Sequence, residues 1–90
     1  MDAGDGARIV LVSRAGCHLC DEGREVVRRV AEAAGERWAE VDVDADAEML
    51  RRWSDRVPVV LVDGTERDFG LLDAGRIEGA LRGRRWWRRR

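Results

Sequence analysis

The chain has no tyrosine and no lysine, one histidine, one proline and two cysteines. It also lacks a long apolar run. The longest stretches, residues 9–12 and 57–62, fall far short of the roughly 20 residues that span a bilayer. No transmembrane segment is therefore expected. The N-terminus, MDAGDGA, is acidic and glycine-rich, with no basic stretch leading into an apolar one, so it does not read as a secretory leader. The expected location is cytoplasmic. There a cysteine pair is seldom a static staple; it more often cycles between thiol and disulfide or binds metal. The shortage of histidine and cysteine bears on the metal alternative. Structural zinc usually takes four protein ligands. This chain offers two cysteines and one histidine, and that histidine lies between the cysteines. No metal site is expected within one chain, although acids could complete one, or a dimer could pool four thiolates in a metal or iron–sulfur carrier.

What is present suffices for one domain. Ninety residues allow an adequate core with a stability of a few kcal/mol. The net charge of −1 is unevenly spread. Residues 84–90, RRWWRRR, hold five arginines and no acid, whereas the remainder sets twelve arginines against eighteen acids. Every cation is arginine, a choice that carries no function by itself.

The spacing predicts the elements. RIVLVS (8–13) is rich in β-branched residues and reads as a buried strand. From Cys17 to about Ala34 the period is helical, with Leu19, Val26, Val27, Val30 and Ala34 on one face, Glu25 and Arg29 paired on another, and Gly35 as the stop. RWAEVDVD (37–44) alternates as a half-buried edge strand. Asp44 or Asp46 can cap a short helix whose apolar side is Met49, Leu50 and Trp53. VPVVLV (57–62) reads as a central strand opened by Pro58, and Asp63-Gly64 as a hairpin turn returning through residues 65–69. Asp73 can cap a last helix reaching about Leu81, weakened by Gly75 and Gly79. The order βαβαββα describes an α/β domain: a four-stranded mixed sheet with helices on both faces. Its first crossover is parallel. Residues 1–7 read as a flexible start, 8–82 as the domain and 83–90 as a basic Arg/Trp tail.

The chemistry lies in Cys17-His18-Leu19-Cys20, at the carboxyl end of the first strand, where reactive groups collect in such sheets. The nucleophile toward a disulfide is the thiolate. Unpaired N–H groups at a helix N-terminus favour that anion. Cys17 at the helix start can therefore attack, and Cys20, one turn in and less exposed, can resolve the mixed disulfide. Arg14 and His18 are candidates for tuning the Cys17 pKa; Asp21 and Glu22 oppose them. A solvent-facing His18 is the plainer alternative.

The strand RIVLVS, the segment RAGCHLC, a helix, EVDVD and RVPVVLVDG together resemble a small glutaredoxin-like protein of the thioredoxin fold, over roughly residues 8–82. The resemblance implies a thiol–disulfide oxidoreductase. It makes Pro58 a cis-proline facing the cysteines, Val57 the residue offering backbone groups to a bound thiol peptide, and Arg14 the basic residue three before the first cysteine. Glutaredoxins that use glutathione typically have threonine before that proline, a Gly-Gly-x-Asp-Asp-like stretch before the last helix, and Pro-Tyr between the cysteines. Here Val57 stands in the first place, FGLLDAG (69–75) keeps one glycine and Asp73, and His-Leu replaces the dipeptide. Glutathione specificity therefore does not follow.

The implied cofactor is none beyond the redox-active disulfide, with glutathione or another low-molecular-weight thiol as a candidate reductant. The implied partners are protein or small-thiol disulfides and a reductase or small thiol. Arginine interleaved with tryptophan in residues 84–90 suits a nucleic acid or an anionic membrane surface; a solubilising tail or packing onto the acidic body stays open. Two further readings stand beside the enzyme: a non-catalytic thioredoxin-fold binding module docked by that tail, and the dimeric metal or iron–sulfur carrier.

Overall fold

A computed structural model describes the backbone of residues 6–89 and the side chains of residues 6–83. Most of the expected flexible start lies outside the described residues, as do the side chains of RRWWRRR. Strand β1 (Ile9–Ser13) is central and buried on both faces, as its β-branched run requires. Helix α1 (His18–Ala34) carries the chain across to the edge strand β2 (Trp38–Asp42), which pairs with β1 in parallel, Ile9 opposite Trp38 and Ser13 opposite Asp42. A short helix α2 (Ala47–Trp53) leads back to β3 (Val59–Val62), antiparallel to β1 on its other side. The hairpin to β4 (Thr65–Phe69) turns at Asp63 and Gly64, whose φ values of 53° and 83° are the left-handed pair of a type I′ turn. Helix α3 (Ala74–Arg89) ends the chain, and the sheet order is β2-β1-β3-β4.

Two clusters sandwich the sheet. Ile9, Leu11, Val60 and Val62 meet Val27, Val30 and Ala31 of α1 and Ile77 and Leu81 of α3. On the other face Val12, Val41 and Val59 meet Val43 and Trp53. The alternation of β1 thus sends odd and even residues to different helices.

Four details depart from the pattern read in the sequence. Strand β2 stops at Asp42, not 44, because the Asp42 carboxylate accepts the Asp44 N–H at 2.9 Å and bends residues 43–45 into a 3-10 turn that still buries Val43. The buried stripe of α1 is Cys20, Gly23, Val27, Val30 and Ala31, so Leu19 and Ala34 are exposed. In α2, where Asp46, one of the two expected candidates, is the cap and accepts the Met49 N–H at 3.0 Å, Leu50 points outward instead of packing. Helix α3 continues past Leu81 to Arg89.

The end of the sheet where β1 begins is clamped by Arg8. Its guanidinium donates to both carboxylate oxygens of Asp63 at 3.0 and 2.9 Å, to Glu36 at 2.9 Å and to the Leu81 carbonyl at 3.4 Å. One side chain thereby ties the hairpin turn, the end of α1 and α3 together.

Candidate active site

At the opposite end of β1, residues 14–17 form a turn closed by the Cys17 N–H donating to the Arg14 carbonyl at 3.3 Å. Its third residue, Gly16, has φ 76°, the left-handed value that a type II turn demands there. Cys17 is the N-cap of α1. Its backbone is extended, and its Sγ accepts the Cys20 N–H at 3.0 Å, taking the place an oxygen fills in most caps. A disulfide joins Cys17 to Cys20, with Cα atoms 5.1 Å apart. The two sulfurs are unequally placed. Cys17 is half-buried and Cys20 is fully buried.

The Val57–Pro58 peptide is cis. Pro58 is buried, and Val57 packs its side chain against the cluster around Trp53. The Pro58 carbonyl accepts the Gly70 N–H at 2.8 Å, which ties this segment to the loop after β4. Gly23, three residues after Cys20 on the same helical stripe, is what lets α1 approach. A Cβ there would lie 3.2 Å from Pro58 Cγ and 2.8 Å from Leu72 Cδ1. The helix that carries the cysteines, the proline segment and the loop before α3 therefore meet at one glycine. A glycine inside a helical pattern is the sequence signal that could have found it, since it costs about 1 kcal/mol relative to alanine unless a close approach requires it.

The loop before α3 is shaped by Asp68, a nearly buried carboxylate at 5% exposure. It accepts the Phe69 and Asp73 N–H groups at 2.9 and 2.8 Å and is approached by the Arg76 guanidinium at 3.4 Å. Asp73 in turn caps α3 by accepting the Arg76 N–H at 2.9 Å. A β-bulge at Arg67 sets Asp68 opposite Val60 and Glu66 opposite Leu61. A strand reading alone sees Asp68 as an ordinary polar residue; no spacing marks it as buried. Phe69 and Leu71, flanking Gly70, are exposed at 51% and 72%.

Arg14 is turned away from the role of a free cation. Nε and Nη2 grip the two oxygens of Asp44, both at 3.0 Å, and Nη1 donates to the Ser54 carbonyl at 3.2 Å. Asp44 is held below the usual carboxylate range by that guanidinium. Arg14 thus braces the cysteine turn against the segment leading to Val57. His18 is the exposed first residue of α1.

A second brace was not foreseen. Arg24 donates from Nε and Nη2 to the two oxygens of Glu40 at 2.7 and 2.8 Å, and from Nη1 to Asp21 at 3.0 Å. Glu40 also accepts the Ser13 hydroxyl at 2.5 Å. Its carboxyl is held below the ordinary range, chiefly by the hydrogen bond from Arg24, with burial opposing and Ser13 assisting. Among the described residues, no three His, Cys, Asp or Glu side chains gather where one ion could hold them. No helix among them is long and apolar enough to cross a membrane.

Residues 8–82 match the Glutaredoxin-like domain (DUF836). The chain belongs to this family. It is 31% identical over 79 residues to uncharacterized proteins of Mycobacterium tuberculosis and Mycobacterium bovis, covering 82% of this chain and 81% of each relative. A solution structure of a Nitrosomonas europaea protein matches with TM-score 0.71 and 29% identity, over 86% of this chain and 92% of that one. An X-ray structure of an X. campestris protein matches with TM-score 0.68 and 29% identity, over 83% and 96%. Oxidised thioredoxin from Plasmodium falciparum shares the fold at TM-score 0.51 and 16% identity, over 86% and 81%. This glutaredoxin-like chain therefore has the thioredoxin fold, and its Cys17–Cys20 pair stands where a redox role is supported.

Proposed function

We propose that this glutaredoxin-like protein is a cytoplasmic thiol–disulfide oxidoreductase. The observation that carries the reading is the unequal pair: a half-buried cysteine at the N-cap of α1, joined to a fully buried cysteine one turn inside. In the reduced protein the Cys17 thiolate attacks one sulfur of a substrate disulfide. That S–S bond breaks, a mixed disulfide forms, and the departing sulfur takes up a proton. The Cys20 sulfur then gives up its proton and attacks Cys17. The second substrate thiol leaves and the Cys17–Cys20 disulfide is restored. The substrate gains two electrons and two protons; the protein gives up both electrons and the Cys20 proton, and water returns the proton that Cys17 released on becoming a thiolate. A low-molecular-weight thiol such as glutathione, or a dithiol reductase, returns them.

Val57 and Pro58 shape the groove beside the pair, Arg14 braces the cysteine turn, and His18 stands at the helix start as a tuning group. The exposed Phe69 and Leu71, on the loop tied to Pro58, favour disulfides on protein segments among the candidate substrates. The test is a redox titration of the full chain in buffers of a small thiol and its disulfide, followed by turnover with an aromatic disulfide. A reversible two-electron transition with catalytic reduction is the expected result. A pair that never reduces, or that reduces without turnover, overturns the enzyme reading. The second outcome would leave a binding module docked by residues 84–90. A coloured preparation with a sulfur-to-metal charge-transfer band would instead point to the metal or iron–sulfur carrier.

A further inference from the structure

Cys17, Asp21 and Arg24 stand at i, i+4 and i+7, one stripe along α1. The Asp21 N–H donates to the Cys17 carbonyl at 3.2 Å, so Asp21 stands one helical turn on from the nucleophile, on the same stripe. A carboxylate there works against a thiolate. Glu40, reaching in from β2 beside Ser13, adds a second negative charge at the same end of the sheet. Arg24 bonds both, with 3.0 Å to Asp21 and 2.7 Å to Glu40. Resting on the oxidoreductase reading, we infer that Arg24 is a charge-balancing residue for Cys17: its two ion pairs offset the carboxylates that would otherwise hold the nucleophilic thiol protonated.

The other charges around the cysteine turn do not replace it. Arg14 is occupied by Asp44, which cancels it locally. From α1 itself come His18 and Glu22. The segment before Pro58 brings Asp55 and Arg56, the latter paired to Glu66 at 3.2 Å. Asp42 on β2 and Asp73 before α3 are acidic. Among the described residues, Arg24 is the cation that bonds both Asp21 and Glu40. Glu40, held below the ordinary carboxylate range by Arg24, keeps its charge throughout the span in which a thiol titrates.

The test separates charge from architecture by sign. Arg24→Gln and Glu40→Gln break the same brace, so a purely structural role moves both the same way. A charge role moves them oppositely. Arg24→Gln leaves two uncompensated carboxylates and lowers the Cys17 thiolate fraction, whereas Glu40→Gln and Asp21→Asn each remove a negative charge and raise it. The readout is the pH profile of Cys17 alkylation by iodoacetamide in the reduced full-length protein, resolved by mass spectrometry. At a pH near the midpoint the expected changes are about two- to fivefold, the range of partly exposed ion pairs. Arg24→Lys should return most of the thiolate fraction. About 1 M salt should shrink all the shifts, since screening then acts within roughly 3 Å. Shifts of one sign in all variants, or none, overturn the inference. Turnover of an aromatic disulfide is measured on the same preparations. Opposite-signed shifts without turnover would sustain the charge role and overturn the enzyme reading. Normal turnover without them would do the reverse.

Discussion

Arg8 and Arg24 perform similar chemistry in two parts of the molecule, and the contrast separates a clamp on the fold from a brace that we infer serves the cysteines. Arg8 stands just before the strand, with its partners Glu36 and Asp63 only 19% and 20% exposed, and it joins segments as much as 73 residues apart. No thiol lies among its partners. Arg24 stands on α1, and its partner Glu40 reaches the hydroxyl of Ser13 at the other end of the strand. Arg24 is 41% exposed, and its partners are Asp21 on its own helix and Glu40 on the edge strand. A closed, long-range clamp is what a small domain needs where nothing reacts. A looser brace, open to water, lies on the side of the half-buried Cys17, where we propose the disulfide exchange takes place.

The sharpest way to sharpen that contrast is to remove the reacting atoms. Cys17→Ser should reduce turnover to the background of the assay. Cys20→Ser should keep the first attack and accumulate a mixed disulfide, because the buried resolving thiol is gone. Mass spectrometry after a short incubation with a disulfide substrate reads both. An adduct on Cys17→Ser but not on Cys20→Ser would reverse the assignment of nucleophile. Thermal stability of reduced Cys17→Ser should stay close to that of the reduced parent, since serine is a favoured N-cap. Reduced Cys20→Ser puts a hydroxyl where the thiol is fully buried and should lose about 1–3 kcal/mol.

The converse experiment is Arg8→Met. It leaves Asp63 and Glu36 without this cation and frees the Leu81 carbonyl. A loss of about 2 kcal/mol in urea unfolding is expected from hydrogen bonds to charged groups in a half-buried setting. Cys17 alkylation should not move. A variant that keeps its stability, or one whose thiol profile shifts with it, would show that the two ends are not divided as described.

How much of this was legible beforehand differs between the same two ends. The parallel first crossover followed from the strand–helix–strand order. The element order, Gly35 as helix stop and the Asp63-Gly64 turn followed from local pattern, because each is set by residues close in sequence. The cysteine pair was legible for the same reason. The clamps were not. Arg8 with Asp63 and Arg24 with Glu40 are contacts across 55 and 16 residues, and in a chain whose cations are all arginine no spacing singles out the paired ones. Arg14 was legible as a position but not as a geometry, since its guanidinium follows Asp44 and the Ser54 carbonyl. The helical stripe of α1 was read one step off because Cys20 and Gly23, neither of them a large apolar residue, form its inner edge.

Gly23→Ala tests the contact between the two regions that the cysteine helix shares with Pro58 and Leu72. Crowding a packed site typically costs about 1–3 kcal/mol, and the gain in helix propensity offsets about 1. The Leu72 methyl at 2.8 Å belongs to a side chain that can turn, whereas the Pro58 ring at 3.2 Å is rigid. A net loss of about 1 kcal/mol is expected, with KM for a disulfide raised more than kcat is lowered. A variant as stable as the parent with an unchanged KM would mean that Leu72 alone absorbs the methyl and that the groove does not depend on this approach.

The smallest expected effect lies in the acid limb of stability. Glu40 has a folded-state pKa below its unfolded value of about 4.3, owing first to Arg24. A lowered carboxyl pKa contributes stability that is fully present above the unfolded value and is lost as the pH falls through the folded one. Glu40→Gln should therefore be less stable than the parent at pH 7, by about 0.5 kcal/mol for a partly exposed pair. The gap should close as the pH drops below about 4, where the parent protonates Glu40 and loses the same pair. Asp44 and Glu25, also lowered by their arginine partners, give both proteins a common acid slope that cancels in the difference. Urea unfolding at intervals from pH 7 to pH 2.5 measures it. A gap that persists unchanged at the acid end would assign Glu40 to packing and to its bond with Ser13, and would leave the Arg24 brace resting on shape instead of charge.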